Sequence, residues 1–188
     1  MTSTVSTAAL PLTVGSWKVD SAHSSVEFVI RHLGLANVRG RFDHFDAALE
    51  VGTGLASTTL GAEVDLTSVN TNNADRDAHL KSTDFFNADH DARMTFVSKE
   101  ISGADRDYRV RGDLTINGIT NPVVLEVEFN GIEASPFDQV NRAGFSARTE
   151  IKRGDFDIDF NVPLGGQKLL LGEKVKIELE IELVAPGA

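Results

Sequence analysis

The segment "KVKIELEIEL" at residues 174–183 alternates with a strict period of two. Val175, Ile177, Leu179, Ile181 and Leu183 fall on one side, and Lys176, Glu178, Glu180 and Glu182 on the other. Successive side chains point to opposite faces only in an extended chain, so this segment is a strand with one dry face and one wet face. Strands of that kind build antiparallel sheets that are covered on one side only. "YRVRGDLTI" repeats the pattern, with Tyr108, Val110, Gly112, Leu114 and Ile116 opposed to Arg109, Arg111, Asp113 and Thr115. It runs into Asn117-Gly118, the pair favoured by type I′ hairpins, whose two central residues both need positive φ. Val123 to Phe129 is therefore expected to return antiparallel, with Pro122 before or at its start, because proline has no N–H for the ladder.

The same test predicts strands near Lys18 and over Val26 to His32, Val38 to Val51, Leu60 to Leu66, Met94 to Ile101 and Ala143 to Ile151. In the fourth decade the apolar parity slips by one residue, from Val38, Gly40 and Phe42 to Phe45, Ala47, Leu49 and Val51. A bulge is expected near Asp43 and His44, where the strand bends. An all-β chain of long bent antiparallel strands, about eight in number, closes into an up-and-down β-barrel. A barrel of that size either fills with side chains or holds one small ligand. Its inward positions mix large residues (Phe28, Phe42, Phe96, Phe145) with small ones (Gly40, Ala62, Gly112, Ala143, Ala147), a mixture compatible with an empty core or with interlocking packing.

Composition narrows the function. The 188 residues carry a formal net charge of -10, with Lys and Arg scattered singly, which argues against binding nucleic acid or anionic membrane surfaces. Cysteine is absent, so no disulfide, thiolate nucleophile or soft metal site is available. The first 17 residues hold no Lys or Arg and no apolar run of secretory length, and no window reaches the span of a membrane helix. The expectation is a Ser/Thr-rich flexible lead-in over 1–14, a single domain over 15–185, a cytoplasmic location and no stable membrane insertion.

"NTNNADRDAHLKSTDFFNADH" at 70–90 is where chemistry would sit, since it gathers four aspartates and two of the five histidines around a lone helix. Asn72 or Asn73 suits the N-cap, Asp75 and Asp77 the first turn, and Asp75/His79 and Asp77/Lys81 are i,i+4 pairs. The same residues could form an enzyme site from Asp75, His79 and His90, but H-E-x-x-H spacing is missing and His90 lies beyond "FFNAD". The helical reading is preferred: a short helix over a barrel end, with Phe85 and Phe86 tucked inward. His23 and His44 fall in turns and are expected in solvent. "PLGGQ" at 163–167 lacks the Lys-Ser/Thr of a phosphate loop and reads as a mobile connection, and Ser24, Ser25 and Ser146 have no nucleophile-elbow setting. No catalytic residue, metal ligand or cofactor is assigned.

In order and spacing, "WKVDSAHSSVEFVIRHLG", "VRGRFDHFDAALEV", "LGAEVDLTSVNTNNADRDAHLKSTDFF", "MTFVSKEI", "VRGDLTINGITNPVVLEVEFNG" and "GFSARTEIKRGDFDI" resemble the YceI-like family from about Trp17 to Val184. The resemblance implies an extended lipocalin-like barrel, with one or two short helices over its ends and a long apolar tunnel for a polyisoprenoid or other amphiphilic lipid. It implies no enzymatic activity. Each five-carbon unit of such a chain would contribute on the order of 3 kcal/mol gross on burial, so an apolar tube suffices and no motif is needed. The expected lining is Val26, Phe28, Ile30, Phe42, Val64, Phe85, Phe86, Phe96, Val110, Leu114, Val127, Phe145 and Ala147. His32 continues the parity of Val26, Phe28 and Ile30, either as a polar contact for a headgroup or as a core histidine bonded to backbone. Two other functions remain open, a barrel enzyme using Asp75, His79 and His90, and a filled barrel serving as a protein-interaction scaffold. A homodimer is left open as well.

Overall fold

Two-sided strands can hide their apolar faces by curling the sheet on itself, and this chain does so. The computed structural model describes residues 9–187. Its strands are β1 (Gly15–Val19), β2 (Ser25–His32), β3 (Ala36–Phe42), β4 (Phe45–Val51), β5 (Thr59–Asp65) and β6 (Val69–Asn70). After the one helix, α1 (Ala74–Lys81), come β7 (Arg93–Ala104), β8 (Asp107–Ile116), β9 (Ile119–Ala134), β10 (Asn141–Lys152), β11 (Pro163–Gly165), β12 (Lys168–Leu169) and β13 (Leu171–Val184). The sheet runs β1-β4-β5-β7-β8-β9-β10-β13 and closes through β1–β13, an antiparallel barrel of eight strands. β2, β3 and β6 continue from β13 beyond the closed ring.

The parity slip at Asp43 and His44 marks a seam instead of a simple bulge. The strand expected over Val38 to Val51 is divided there into β3 and β4, which have different partners: β3 pairs with β2 and β6, and β4 with β1 and β5. Neighbouring strands break at the same level, β1 from β2 and β5 from β6. The freed backbone groups are satisfied across the seam, with the Asp43 amide donating to Ser68 O at 3.1 Å and the Asp65 amide to His44 O at 3.0 Å. The ring below the seam and the flap above it thus share long strands that change direction together.

The Asn117-Gly118 turn forms as expected, with φ of 53° and 72°. β9, however, begins at Ile119 and passes through Pro122, earlier than the Val123 start expected for it. Pro122 sits opposite Asp113, and counting from the hairpin this is a pair that exchanges no backbone bonds. Its missing N–H therefore faces the other side, where β10 does not begin to pair until Glu126. "PLGGQ" is not a free connection but the turn of the β11–β12 hairpin, with positive φ at Gly165 and Gly166. Of the lead-in expected to be flexible over 1–14, residues 1–8 lie outside the described residues; Leu10 and Leu12, in contrast, are buried against the core beside Trp17.

One charged network ties the closure together. Arg142 on β10 reaches Asp138 at 2.9 Å, Glu182 on β13 at 3.2 Å and Asp20 beyond β1 at 3.8 Å. The hydrogen bond from Arg142, helped by the Val140 amide and Ser135, lowers the Asp138 carboxyl to about 2. A carboxyl lowered on folding adds stability above its unfolded pKa and loses it as the pH falls through the folded value. NMR titration of Asp138 is thus expected to show a midpoint near 2, and one at the ordinary 3.8 would break the pairing described.

The small inward residues divide into two groups. A Cβ on Gly40 would come within 2.3 Å of the Phe28 ring, and one on Gly112 within 2.4 Å of Phe96 and 2.6 Å of Val97 O. These glycines are seats for aromatic rings, and Ala143 is fully enclosed, so at three of the five positions interlocking packing holds. Ala62 and Ala147 face open space instead. Gly112→Ala is accordingly expected to cost roughly 1–3 kcal/mol through overpacking, measured by chemical denaturation.

Candidate functional site

Inward residues of β13 report an interior that side chains do not fill. Ile177, Leu179 and Ile181 face inward by parity yet remain partly accessible, because the surface they keep fronts two cavities. The first, about 170 Å³, lies within the closed ring and is walled by residues such as Leu49, Ala62, Val64, Phe96, Val110, Leu114, Val127, Phe145 and Ala147. The second, about 320 Å³, lies in the flap and is walled by Phe28, Ile30, His32, Phe42, Phe85, Phe86 and others. Val26, Met94 and Ile177 front both, so the two cavities are neighbours that share three wall residues. Every residue expected to line a tunnel fronts one cavity or the other.

Their chemistry differs. Around the first cavity the side chains are almost all aliphatic or aromatic, with Leu10 from the N-terminal segment also in the wall. The second adds Thr71, Arg76, His79 and Arg153 to an otherwise apolar wall, with Glu27 and His32. The seventeen-residue stretch from Phe28 to His44 shows why aromatic packing matters here: Phe28 and Phe42 rings lie 5.6 Å apart, and Phe86 extends the stack at 5.8 Å from Phe42.

α1 and the chain after it cover a gap in the wall, because β6 pairs with β3 alone and nothing in the sheet joins β6 to the far side of the flap. Asn73 is the N-cap, its side chain accepting from the Arg76 amide at 2.9 Å, and Asp75 and Asp77 stand in the first turn. The expected i,i+4 pairs do not form. Asp77 turns back to accept from the Thr71 amide at 2.9 Å and from its hydroxyl at 2.5 Å, which frees it from Lys81. His79 pairs with Asp84 at 2.7 Å and not with Asp75, and its ring stands edge-on to Phe85 and Phe160 at 5.0 and 4.8 Å. The segment is pinned at its far end by Asn117, whose Nδ2 donates to Phe85 O at 2.9 Å and Phe156 O at 3.2 Å.

Asp75, His79 and His90 are not gathered into a site. Among the described residues the one cluster of three metal-type ligands is Asp20, His23 and Glu182, at the opposite end, and Arg142 already lies against both of its carboxylates. His23 and His44 are exposed, as expected, each beside an aspartate.

Arg153 and Phe160 were not legible as wall residues. "RGDFDIDF" reads as a charged turn, and Arg153 begins a 3₁₀ turn over Arg153–Phe156. The signal that could have found its neighbours is the period-two spacing of Phe156, Ile158 and Phe160, of which the first two are buried. No residue type announces that Arg153 is buried; that follows from the chain folding back so that the Ile158 and Phe160 carbonyls of the same segment, and Gly172 O of β13, accept from it.

With the geometry in place, comparison identifies the family: the YceI-like domain profile matches residues 17–183. The chain belongs to the YceI-like family. UPF0312 proteins of Staphylococcus aureus strains MSSA476 and USA300 are each 43% identical to it over 164 residues, covering 87% of this chain and 94% of theirs. A YceI protein of Campylobacter jejuni is 30% identical, with a TM-score of 0.69 over 82% of this chain and 89% of that one. BcnA of Burkholderia cenocepacia shares the fold at a TM-score of 0.75 and 23% identity, over 87% and 98% of the two chains. A domain of Saccharophagus degradans described as polyisoprenoid-binding shares it at a TM-score of 0.65 and 15% identity, over 93% and 100%. The barrel described above is thus a fold shared with solved structures that differ widely from this chain in sequence.

The dispersal of the acidic and histidine residues leads to a simple expectation. Untagged protein should carry no stoichiometric zinc, and a chelator should leave its melting temperature unchanged. One metal per chain by elemental analysis would overturn this expectation, and its loss in His79→Ala with retention in His23→Ala would place it among Asp75, His79 and His90 instead of at the Asp20, His23 and Glu182 cluster.

Proposed function

We propose that this YceI-like chain binds one long apolar molecule, a polyisoprenoid or a comparable amphiphilic lipid, along the two adjacent cavities, and serves as its carrier or store. The observation that carries this reading is the adjacency of two apolar cavities that share Val26, Met94 and Ile177 as wall. A tube of that form rewards a flexible chain for every methylene it buries, at about 0.8 kcal/mol gross each, and asks for no directional bond along its length. A compact polar substrate would gain little from it. The polyisoprenoid-binding domain of Saccharophagus degradans has the same fold, and at 15% identity that likeness supports the architecture alone. Family membership likewise supports a binding protein over an enzyme.

The proposed contacts are fourteen of the residues that front the cavities. Val64, Phe96, Val110, Leu114, Val127, Phe145 and Ala147 would hold the tail, and Phe28, Ile30, His32, Phe42, Phe85 and Phe86 the part nearer the helix, with Val26 between. This assignment makes the barrel interior, and not an outer surface, the working part of the molecule.

Ala147 tests it. Its side chain fronts the first cavity, so in Ala147→Trp the indole is expected to enter the space with little loss of stability while blocking uptake of a fluorescent prenyl-chain probe. In a filled core the same change would cost about 1–3 kcal/mol. Native mass spectrometry of gently purified protein should show a lipid adduct in the parent and none in the variant. A parent that binds no prenyl probe after delipidation would refute the lipid reading.

A further inference from the structure

We propose that Arg153 makes the second cavity a receptor for an anionic head group, so that the ligand is an apolar chain ending in a carboxylate or phosphate. This rests on the reading of the barrel as a lipid-binding tube and specifies which end of the lipid lies where.

Arg153 is 6% exposed and forms part of the wall of the larger cavity. Its Nε donates to Gly172 O at 3.0 Å, and its Nη1 to Ile158 O at 2.5 Å and Phe160 O at 2.8 Å. These three bonds fix the guanidinium plane against the backbone and use two of its three nitrogens. Nη2 donates to nothing among the described residues, yet it is not among the buried atoms sealed without a partner. Arg153 is a wall residue of the larger cavity, and the proposal assigns its free Nη2 to that space.

The charge on Arg153 is also unanswered. Among the described residues no carboxylate comes within the 4.0 Å of an ion pair; Asp159 and Glu173 favour its charged form only from farther away. Burial lowers its pKa from the ordinary arginine value, but a guanidinium stays protonated at any ordinary pH. A buried cation that keeps two free N–H bonds is matched by an oxygen anion, which accepts hydrogen bonds and cancels the charge together. Arg76 and His79 front the same cavity at its rim, and Arg76 is held there by Thr71 through Oγ1 and O, both at 2.7 Å. Glu27, the carboxylate in this wall, is near Arg39 at 3.9 Å. The smaller cavity holds no arginine, lysine or histidine. A chain-bearing anion therefore has one orientation: tail toward Phe145 and Ala147, head at Arg153.

The test uses the delipidated full chain and three probes with one and the same tail: geranylgeranoic acid, geranylgeranyl phosphate and geranylgeraniol. One or both anions are expected to bind at least about tenfold more tightly than the alcohol, the scale of a charge-assisted hydrogen bond, and which anion is favoured tells a carboxylate source from a phosphate source. In Arg153→Met the ratio of anion to alcohol affinity should fall to near one, a change that loosening of the three carbonyl contacts alone would not produce. Equal binding of alcohol and both anions by the parent, or a preference that survives in the variant, would overturn the assignment. Should the variant fold poorly, the guanidinium NMR resonances of Arg153 in the unmodified protein replace it: they should move on adding the favoured anion and stay on adding the alcohol, and unmoved resonances would overturn the assignment. Absence of binding by all three probes would instead refute the lipid reading itself.

Discussion

Everything inside this molecule depends on the ladder that closes β13 onto β1. Two registered pairs, Lys18 with Val184 and Val19 with Leu183, complete the ring of eight strands. Once closed, the ring satisfies most of its backbone through its own strands, with the start of β9, before Glu126, left unpaired on its β10 side. The interior is therefore under no obligation to bury polar groups, and its volume is decided by side-chain size alone. Trp17, on the closing strand, is 1% exposed and donates from Nε1 to Thr13 O at 2.8 Å. The closing strand is thus held by packing as well as by its short ladder, and Leu10 and Leu12 cover the same end.

Volume inside the ring is set by where rings and methyl groups fall. In the ring Phe96 lies over Gly112, as Phe28 lies over Gly40 in the flap, which draws large side chains against the wall and away from the axis. Ala62 and Ala147 then leave the middle empty. A barrel with leucine at these alanine positions would have the same fold and no tube. The outer face contributes cross-strand pairs such as Arg109 with Glu126 at 3.0 Å and Arg111 with Glu100 at 2.9 Å. Exposed pairs of this kind contribute about 0–1 kcal/mol each, so the stability rests mainly on the buried face.

How far the sequence could be read depended on the range of the interactions involved. Alternation is local, and it located every strand of the ring; the parity slip at Asp43 and His44 marked the seam to the residue. Asn73 as N-cap was legible for the same reason, because capping acts over three residues. The partners of Asp77 and His79 were misread, since Thr71 and Asp84 lie outside the helix and compete with the i,i+4 neighbours inside it. Pro122 was misplaced because its tolerance depends on where β10 stops, many residues away. Parity assigns a face, and the residues on that face front one cavity or the other. Whether that face met an empty space was not legible, because the answer lies in rings from neighbouring strands. Arg153 escaped altogether: a charged residue among aspartates gives no sign that the chain folds back to close the Ile158 and Phe160 carbonyls over it and that β13 adds Gly172 O.

The wall around the larger cavity is not uniform in how it is held. On most sides it is a hydrogen-bonded sheet, and parting two strands there would break a whole ladder. Between β6 and the Asn117 turn it consists of α1 and the following loop, held by the Phe42–Phe86 contact, the two donations from Asn117, and the Thr71 bonds to Asp77 and Arg76. That patch is held by side-chain contacts alone in a wall otherwise held by strand ladders. A long chain that had to be threaded through the end of a closed cylinder would pass segment by segment, losing freedom before it gained contact. Were α1 to swing aside, the proposed lipid would instead be laid in from the side, as thread is laid into a slotted bobbin, with the ring below left intact.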